Sequence, residues 1–286
     1  MTRVILLTAV AMLAFAANSL LARIGVRDGL IDAGSFTALR LISGALGLWI
    51  LVAWQTRSVR PARGGSVFGA LALFAYAAAF SFAYLDLTAA MGALLLFGAV
   101  QLTMIAVGLW RGDPVSGVQW CGVVLAFAGL IGLLLPGLSA PPLGSAVIML
   151  VSGVAWGVYS LLGRGVSEPL AATANNFLLT VPLAVLLALV TWSAAHISAP
   201  GVFYAVLSGV LASGAGYAIW YTALPALSSP IAATVQLSVP VIAAVGGVLL
   251  LAEPLSLRLV LGSVAVLGGV ALVIMAPMMR GGGERE

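Results

Sequence analysis

Between Glu168 and Glu253 the chain runs for 84 residues without one Asp, Glu, Lys or Arg. A single membrane crossing takes about 20 apolar residues, so this stretch has room for several. No water-soluble domain can be built on it. Hydrophobic residues make up 63% of the chain and charged residues 7%, against roughly 25% charged in an ordinary globular domain. That leaves too little polar surface to face water. The solvent is lipid.

Apolar windows bounded by Gly, Pro or charge fall near residues 4–22, 34–54, 66–85, 88–109, 116–136, 143–163, 170–191, 201–223, 228–251 and 257–277. Each approaches the length that spans a hydrocarbon core of about 30 Å. A spanning barrel would instead show segments of about ten residues with alternating polarity. The pattern predicts an all-α integral membrane protein with ten transmembrane helices and no extramembrane domain. Arg3, an apolar stretch and Ala14-Phe15-Ala16 resemble a cleavable secretory signal. The internal repeat described below argues that this segment is retained.

The basic residues are twelve arginines and no lysine. They lie singly or in threes at the ends of apolar runs and form no continuous basic face, which excludes a nucleic-acid partner. As topology markers they favour both termini in the cytoplasm. That side would hold Arg3, Arg57, Arg60, Arg63, Arg111, Arg164, Arg280 and Arg285, and the other Arg23, Arg27, Arg40 and Arg258. The single Cys121 supports neither a disulfide nor a metal site and is expected as a small buried hydrophobe. No cofactor is expected.

The phrase AFAANSLLAR at Ala14 returns as AWGVYSLLGR at Ala155. Asp113-Pro114-Val115-Ser116, then Gly122 and Gly129, returns as Glu253-Pro254-Leu255-Ser256, then Gly262 and Gly269. In both copies Pro breaks one helix, Ser is placed to cap the next, and glycines spaced a heptad apart allow close helix approach. Thr88 and Ser228, the latter with Pro230 following, likewise open the fourth and ninth helices. Residues 1–138 and 139–286 thus hold five helices each. Five is odd, so the second half enters the bilayer from the opposite face. Such inverted duplications commonly exchange inward-open and outward-open shapes around a midplane site.

The stretch LLLAEPLSLRLVLGSVAVLGGVALV, preceded by SPIAATVQLSVPVIAAVGG, resembles the end of the second half in the drug/metabolite transporter superfamily, specifically the ten-helix EamA-type carriers. LLLFGAVQLTMIAVGLWRGDPVSGVQWCG is similar to the branch of that superfamily that exports aromatic amino acids and metabolites. The resemblance implies a central cavity between the halves, peripheral fifth and tenth helices, a bacterial inner-membrane location and export of amino acids or related metabolites. Asp113 stands where Glu253 is the more typical residue. Both are read as loop and cap residues outside the chemistry.

Ionisable groups at mid-membrane are costly and usually functional, and here only Arg40 and Asp86 approach the hydrocarbon. Both are expected as solvated or snorkelling residues at helix ends, and His196 as a solvated loop residue. With no midplane carboxylate there is no evident proton carrier or sodium cage. Facilitated diffusion or exchange follows, with proton coupling as the alternative.

Uncharged side chains are the better substrate contacts. Tyr76, Phe80 and Tyr84 sit at i, i+4 and i+8 on one helical stripe, and Tyr217, Trp220 and Tyr221 cluster over one turn. The repeat pairs Phe15 with Trp156, Asn18 with Tyr159 and Phe80 with Trp220. Gln101 and Gln236 lie within apolar windows, where an unpaired amide is costly. The rings also suit ordinary core packing, and the amides interhelical hydrogen bonds. Candidate substrate contacts are Asn18, Tyr76, Phe80, Tyr84, Gln101, Trp156, Tyr159, Tyr217, Trp220 and Gln236.

Rings for stacking and amides for polar ends suit a neutral or zwitterionic solute, so the chain reads as a monomeric exporter whose partners are that solute and membrane lipid. A channel-like pore is the second reading. An intramembrane enzyme would need a nucleophile with a base, or a metal, and the chain offers one loop His, one Cys and no buried acid pair.

Overall fold

The computed structural model describes residues 2–57, 64–112, 116–137, 140–163, 166–227, 232 and 235–280, with side chains in the last helix described to Met275. They form ten helical segments: α1 Thr2–Arg27, α2 Ala33–Thr56, α3 Val67–Ala83, α4 Ala89–Trp110, α5 Gly117–Leu134, α6 Leu143–Leu162, α7 Pro169–Val190, α8 Ala199–Ala226, α9 Ser238–Leu251 and α10 Leu257–Arg280. Among the described residues there is no strand, only one isolated bridge between Ile31 and Ile197. Arg60, Arg63, Asp113-Pro114-Val115, Arg164, Ser228, Pro230 and Arg285, which carried parts of the topology and repeat arguments, lie outside the described residues.

Eight of the segments are long and apolar enough to cross a membrane, and Val67–Ala83 and Ser238–Leu251 are shorter than their sequence windows. The α3 helix stops at Ala83 because residues 84–87 turn away, where the carbonyls of Tyr84 and Leu85 accept from Arg23. Helix starts follow the sequence signals. Thr88 accepts from the Met91 N–H at the start of α4, Ser116 and Gln119 form a capping box on α5, and Ser256 accepts from the Leu259 N–H at α10.

The α8 span is not one regular helix. An α segment Ala199–Leu207 gives way to a π segment Ser208–Ala215, then α again over Gly216–Ala223. Gly209, Gly214 and Gly216 sit in or beside the widened turns, where the chain runs tight against α2 and α1: a methyl on Gly216 would lie 3.0 Å from Ala14 Cβ. Runs of π-helix mark functional sites more often than chance. Pro182 lies inside α7, Pro225 in the 3₁₀ turn ending α8 and Pro240 in the first turn of α9.

Helices of the first half pack chiefly on helices of the second. The α2 helix lies on α7, α4 on α9 and α5 on α10, while the α1–α8 contact is matched by α6–α3 and the α1–α9 contact by α6–α4. Side chains such as Trp54, Phe68, Val190, Leu249 and Leu257 stand more than 70% exposed, an apolar coat that a water-soluble monomer does not carry. Trp54, Trp110 and Trp192 occupy helix ends on that outer surface, as interfacial aromatics do. Cys121, expected to be buried, faces outward on α5. The side of α5 that carries Gly122 and Gly129 is the one committed to α10, which leaves Cys121 on the apolar coat.

The two ends of the bundle differ. Where α1 ends, five loops are bonded into one layer. The α1–α2 loop meets the α7–α8 loop through Asp32 and His196 and through Leu30 and Ser198. Asp86 of the α3–α4 loop accepts from Ser145 at the start of α6, and Arg258 donates to the Leu135 and Pro136 carbonyls. Asp86 and His196 are exposed at this end, as expected of solvated loop residues. The opposite end carries the start of α1 and the end of α10, and is called the terminal end below.

Candidate functional site

A cavity of about 440 Å³ lies between the halves. Its wall takes Phe15 from α1, Gln101 and Met104 from α4, Trp156 and Tyr159 from α6, Tyr217, Trp220 and Tyr221 from α8, and Gln236 just before α9. It extends to Val166 and Leu227, in the loops of the terminal end. A void of about 20 Å³, large enough for one water, continues inward and is lined by Asn18, Ser19, Tyr76, Phe80, Leu96 and Phe97, sharing Phe15, Trp156 and Tyr217 with the larger space.

The rings form a connected set. Trp156 stacks on Tyr217 at 5.2 Å and 19°, and meets Tyr159 at 5.3 Å and Tyr76 at 4.7 Å. Phe15 meets Tyr217 at 5.8 Å and Trp220 at 6.1 Å. The α1–α8 pair Phe15–Tyr217 and the α6–α3 pair Trp156–Tyr76 are counterparts, since the repeat equates Phe15 with Trp156 and lays α8 over α3. Offset and edge-on contacts of this kind leave flat ring faces open to a planar guest.

Every candidate from the sequence except Tyr84 lines one of the two spaces. Tyr84 continues the α3 stripe, edge-on to Phe80 at 4.8 Å, but its hydroxyl turns to the Ala89 carbonyl and it is fully buried. It belongs to the closed end. The residue just beyond α3 cannot reach a cavity that opens toward the other end of the bundle.

At the inner void the polar groups are linked. Ser208, from the π segment of α8, donates to Asn18 Oδ1 at 2.6 Å, and the Asn18 amide donates to the Tyr76 hydroxyl at 3.2 Å. Ser152 donates to the Tyr76 carbonyl at 2.9 Å, tying α6 to α3. The same Tyr76 hydroxyl accepts from Arg40 Nη2 at 2.9 Å, and the guanidinium lies 5.1 Å from the Tyr76 ring centroid and 4.8 Å from that of Phe80. Arg40 is 1% exposed. This overturns the snorkelling expectation. The α2 helix begins at Ala33, so Arg40 stands two turns in, on the buried stripe of Ala33, Thr37, Gly44 and Leu48.

Sequence reasoning also missed the closure of the far end. Arg23 Nε donates to Glu253 Oε1 at 3.0 Å, its Nη1 to the Tyr84 and Leu85 carbonyls, and Glu253 Oε2 accepts from the Ala89 N–H at 2.8 Å. Both side chains are below 10% exposed. Glu253 is therefore no cap of its own helix: it caps α4, where a carboxylate is favoured by the helix dipole, and cancels the charge of Arg23. Ala252, in the left-handed region at φ 51°, turns the chain so that Glu253 points inward. The sequence showed only that both lie toward the same end of the bundle: Arg23 stands one turn before the end of α1, and Glu253 follows α9.

An all-helical bundle with an apolar coat and an aromatic cavity between its halves is the architecture of a polytopic membrane protein. Residues 143–275 match the EamA-like transporter family. An uncharacterized protein of Pseudomonas aeruginosa is 57% identical, covering 97% of this chain and 96% of its own. An uncharacterized transporter of Archaeoglobus fulgidus is 32% identical over 54% of this chain and 56% of its own. A protein of known crystal structure shares the fold, with TM-score 0.66 and 18% identity over 96% of this chain and 98% of that one. Over residues 143–275 the chain is thus similar to the EamA-like transporter family, and its long apolar helices are those of a multi-pass membrane protein.

Proposed function

We propose that the chain exports small metabolites, neutral or aromatic amino acids above all, by alternating access through the central cavity, as a facilitator or exchanger in a bacterial inner membrane. The observation that carries this reading is the aromatic cavity itself. Its volume of about 440 Å³ falls in the range of small-molecule sites, roughly 300–1,000 Å³. It reaches the loops of one bundle end, and a buried ion pair with an interlocked loop layer stands between it and the other. Cavities with one accessible and one sealed end are what alternating access requires and a continuous pore is not, which favours a carrier over a channel. The paired contacts of α1 with α8 and α6 with α3 support an inverted duplication of residues 1–138 in 139–286. With both termini cytoplasmic, the accessible end faces the cytoplasm, where an exporter loads.

The test is counterflow in liposomes containing the purified protein. Labelled phenylalanine is expected to enter vesicles preloaded with unlabelled phenylalanine, at a rate that saturates with concentration. Trp220→Ala removes a ring from the cavity wall and is expected to lower the rate about fivefold, as loss of a stacking partner worth about 1 kcal/mol implies. Flux that rises without saturation would replace the carrier with a pore, and no flux with any amphipathic solute would remove the transport reading.

A further inference from the structure

Among the described residues Arg40 is a charge without a counter-charge. An arginine stays protonated in every protein environment, and a cation in hydrocarbon surroundings is costly unless paired. Among the described residues its Nε and Nη1 have no hydrogen-bond partner. The ion pairs among the described residues are Arg23–Glu253 and Arg27–Asp28, so no described carboxylate reaches it. Its compensation is one hydrogen bond to the Tyr76 hydroxyl and two ring faces. Those rings, Tyr76 and Phe80, are themselves the wall of the inner void. A cation thus stands directly behind the polar tip of an otherwise aromatic site, with donors to spare.

We propose that Arg40 is the counter-charge for a solute carboxylate, in an anion subsite that it forms with the Tyr76 hydroxyl and the Asn18 amide. This rests on the transporter reading and deepens it. The solute ring lies among Phe15, Trp156, Tyr217 and Trp220 in the large space, and its carboxylate enters the narrow end. A carboxylate supplies the acceptor oxygens that the guanidinium lacks and cancels its charge. No acidic residue lines either space among the described residues, so nothing there recognises an ammonium by charge. The cargo class is therefore aromatic carboxylates, with or without an amine.

The test is binding to the full-length protein in detergent, read by quenching of tryptophan fluorescence, with phenylacetate, phenylalanine and phenylacetamide as probes. Phenylacetate is expected to bind as tightly as phenylalanine. The amide, equal in shape but uncharged, is expected to bind about tenfold to a hundredfold more weakly, the worth of hydrogen bonds to a charged group. Arg40→Gln is expected to abolish that difference while Arg40→Lys retains most of it. Arg40→Gln without ligand is expected to melt no lower than the wild type, since it removes an uncompensated charge, whereas a purely structural arginine would lower it. Equal binding of acid and amide by the wild type, which needs no variant, overturns the proposal; so does phenylalanine binding without phenylacetate binding. Saturable counterflow with no acid preference sinks the anion subsite and leaves the transporter. Acid preference without flux of any solute does the reverse.

Discussion

Glu253→Ala is expected to destabilise the protein by about 3–5 kcal/mol, the range for stripping one partner from a buried ion pair. The loss has two sources. Arg23 keeps its bonds to the Tyr84 and Leu85 carbonyls but is left as an uncancelled buried cation, and the Ala89 N–H at the start of α4 loses its acceptor. Because the cost is one of desolvation, removing both charges should restore most of it: Arg23→Met with Glu253→Met is expected within about 1–2 kcal/mol of the wild type. Salt should leave the effect largely unchanged, since screening acts weakly on buried pairs. The measurement is thermal unfolding of the purified protein for the wild type, both single variants and the double. A double variant no more stable than Glu253→Ala would mean the pair's worth lies in packing. The milder Glu253→Gln tests the seal. In a background with Cys121→Ala, a cysteine at Ser19, buried between cavity and ion pair, should label faster with a membrane-impermeant thiol reagent when Glu253 is Gln.

That ion pair shows where the sequence stops being readable. Helix positions were legible because lipid enforces them: windows of about 20 apolar residues punctuated by Pro, Gly and Arg leave few alternatives. Thr88, Ser116 and Ser256 were legible because a cap is decided within four residues of chain. The aromatic stripe of Tyr76 and Phe80 was legible because helical spacing alone aligns it. Arg23 and Glu253 are 230 positions apart, and each is locally plausible as a solvated end residue. Only tertiary packing brings them into one dry site.

Arg40 failed for a different reason. Its distance from the helix start suggested that its stem could reach water, but α2 is closed in by α7 and α8, and the stripe of Thr37, Arg40, Gly44 and Leu48 faces inward. Reading that stripe by its small neighbours would have placed the charge inside. The π segment of α8 left no sequence signal beyond its glycines, and it is this segment that turns Ser208 onto Asn18.

The adjacent glycines 268 and 269 of α10 are expected to respond to the same substitution with opposite sign. A methyl on Gly269 would lie 2.5 Å from both the Gly122 carbonyl oxygen and the Ala126 nitrogen of α5, and one on Gly122 would lie 2.5 Å from the Gly269 oxygen. Both obstacles are backbone, so no rotamer change relieves them and the two helices must separate. Between these helices lipid supplies no hydrophobic drive, and close van der Waals contact is what holds them. Separation therefore forfeits the interface along its length. Gly269→Ala is expected to cost about 1–3 kcal/mol, the usual range for overpacking, and Gly269→Leu to prevent folding of the α5–α10 pair. A methyl on Gly268 meets nothing within 4 Å, so Gly268→Ala should be neutral or stabilising by up to about 1 kcal/mol through helix propensity. The remaining glycine of each copy departs from strict symmetry: Gly129 packs on Ala265 and Val266, and Gly262 on the Leu133 side chain. Leu133 is flexible and can yield, so Gly262→Ala should cost less than Gly269→Ala. Thermal unfolding of the three alanine variants orders them directly, and a Gly268→Ala penalty equal to that of Gly269→Ala would show that the loss is intrinsic to the helix and owes nothing to contact with α5.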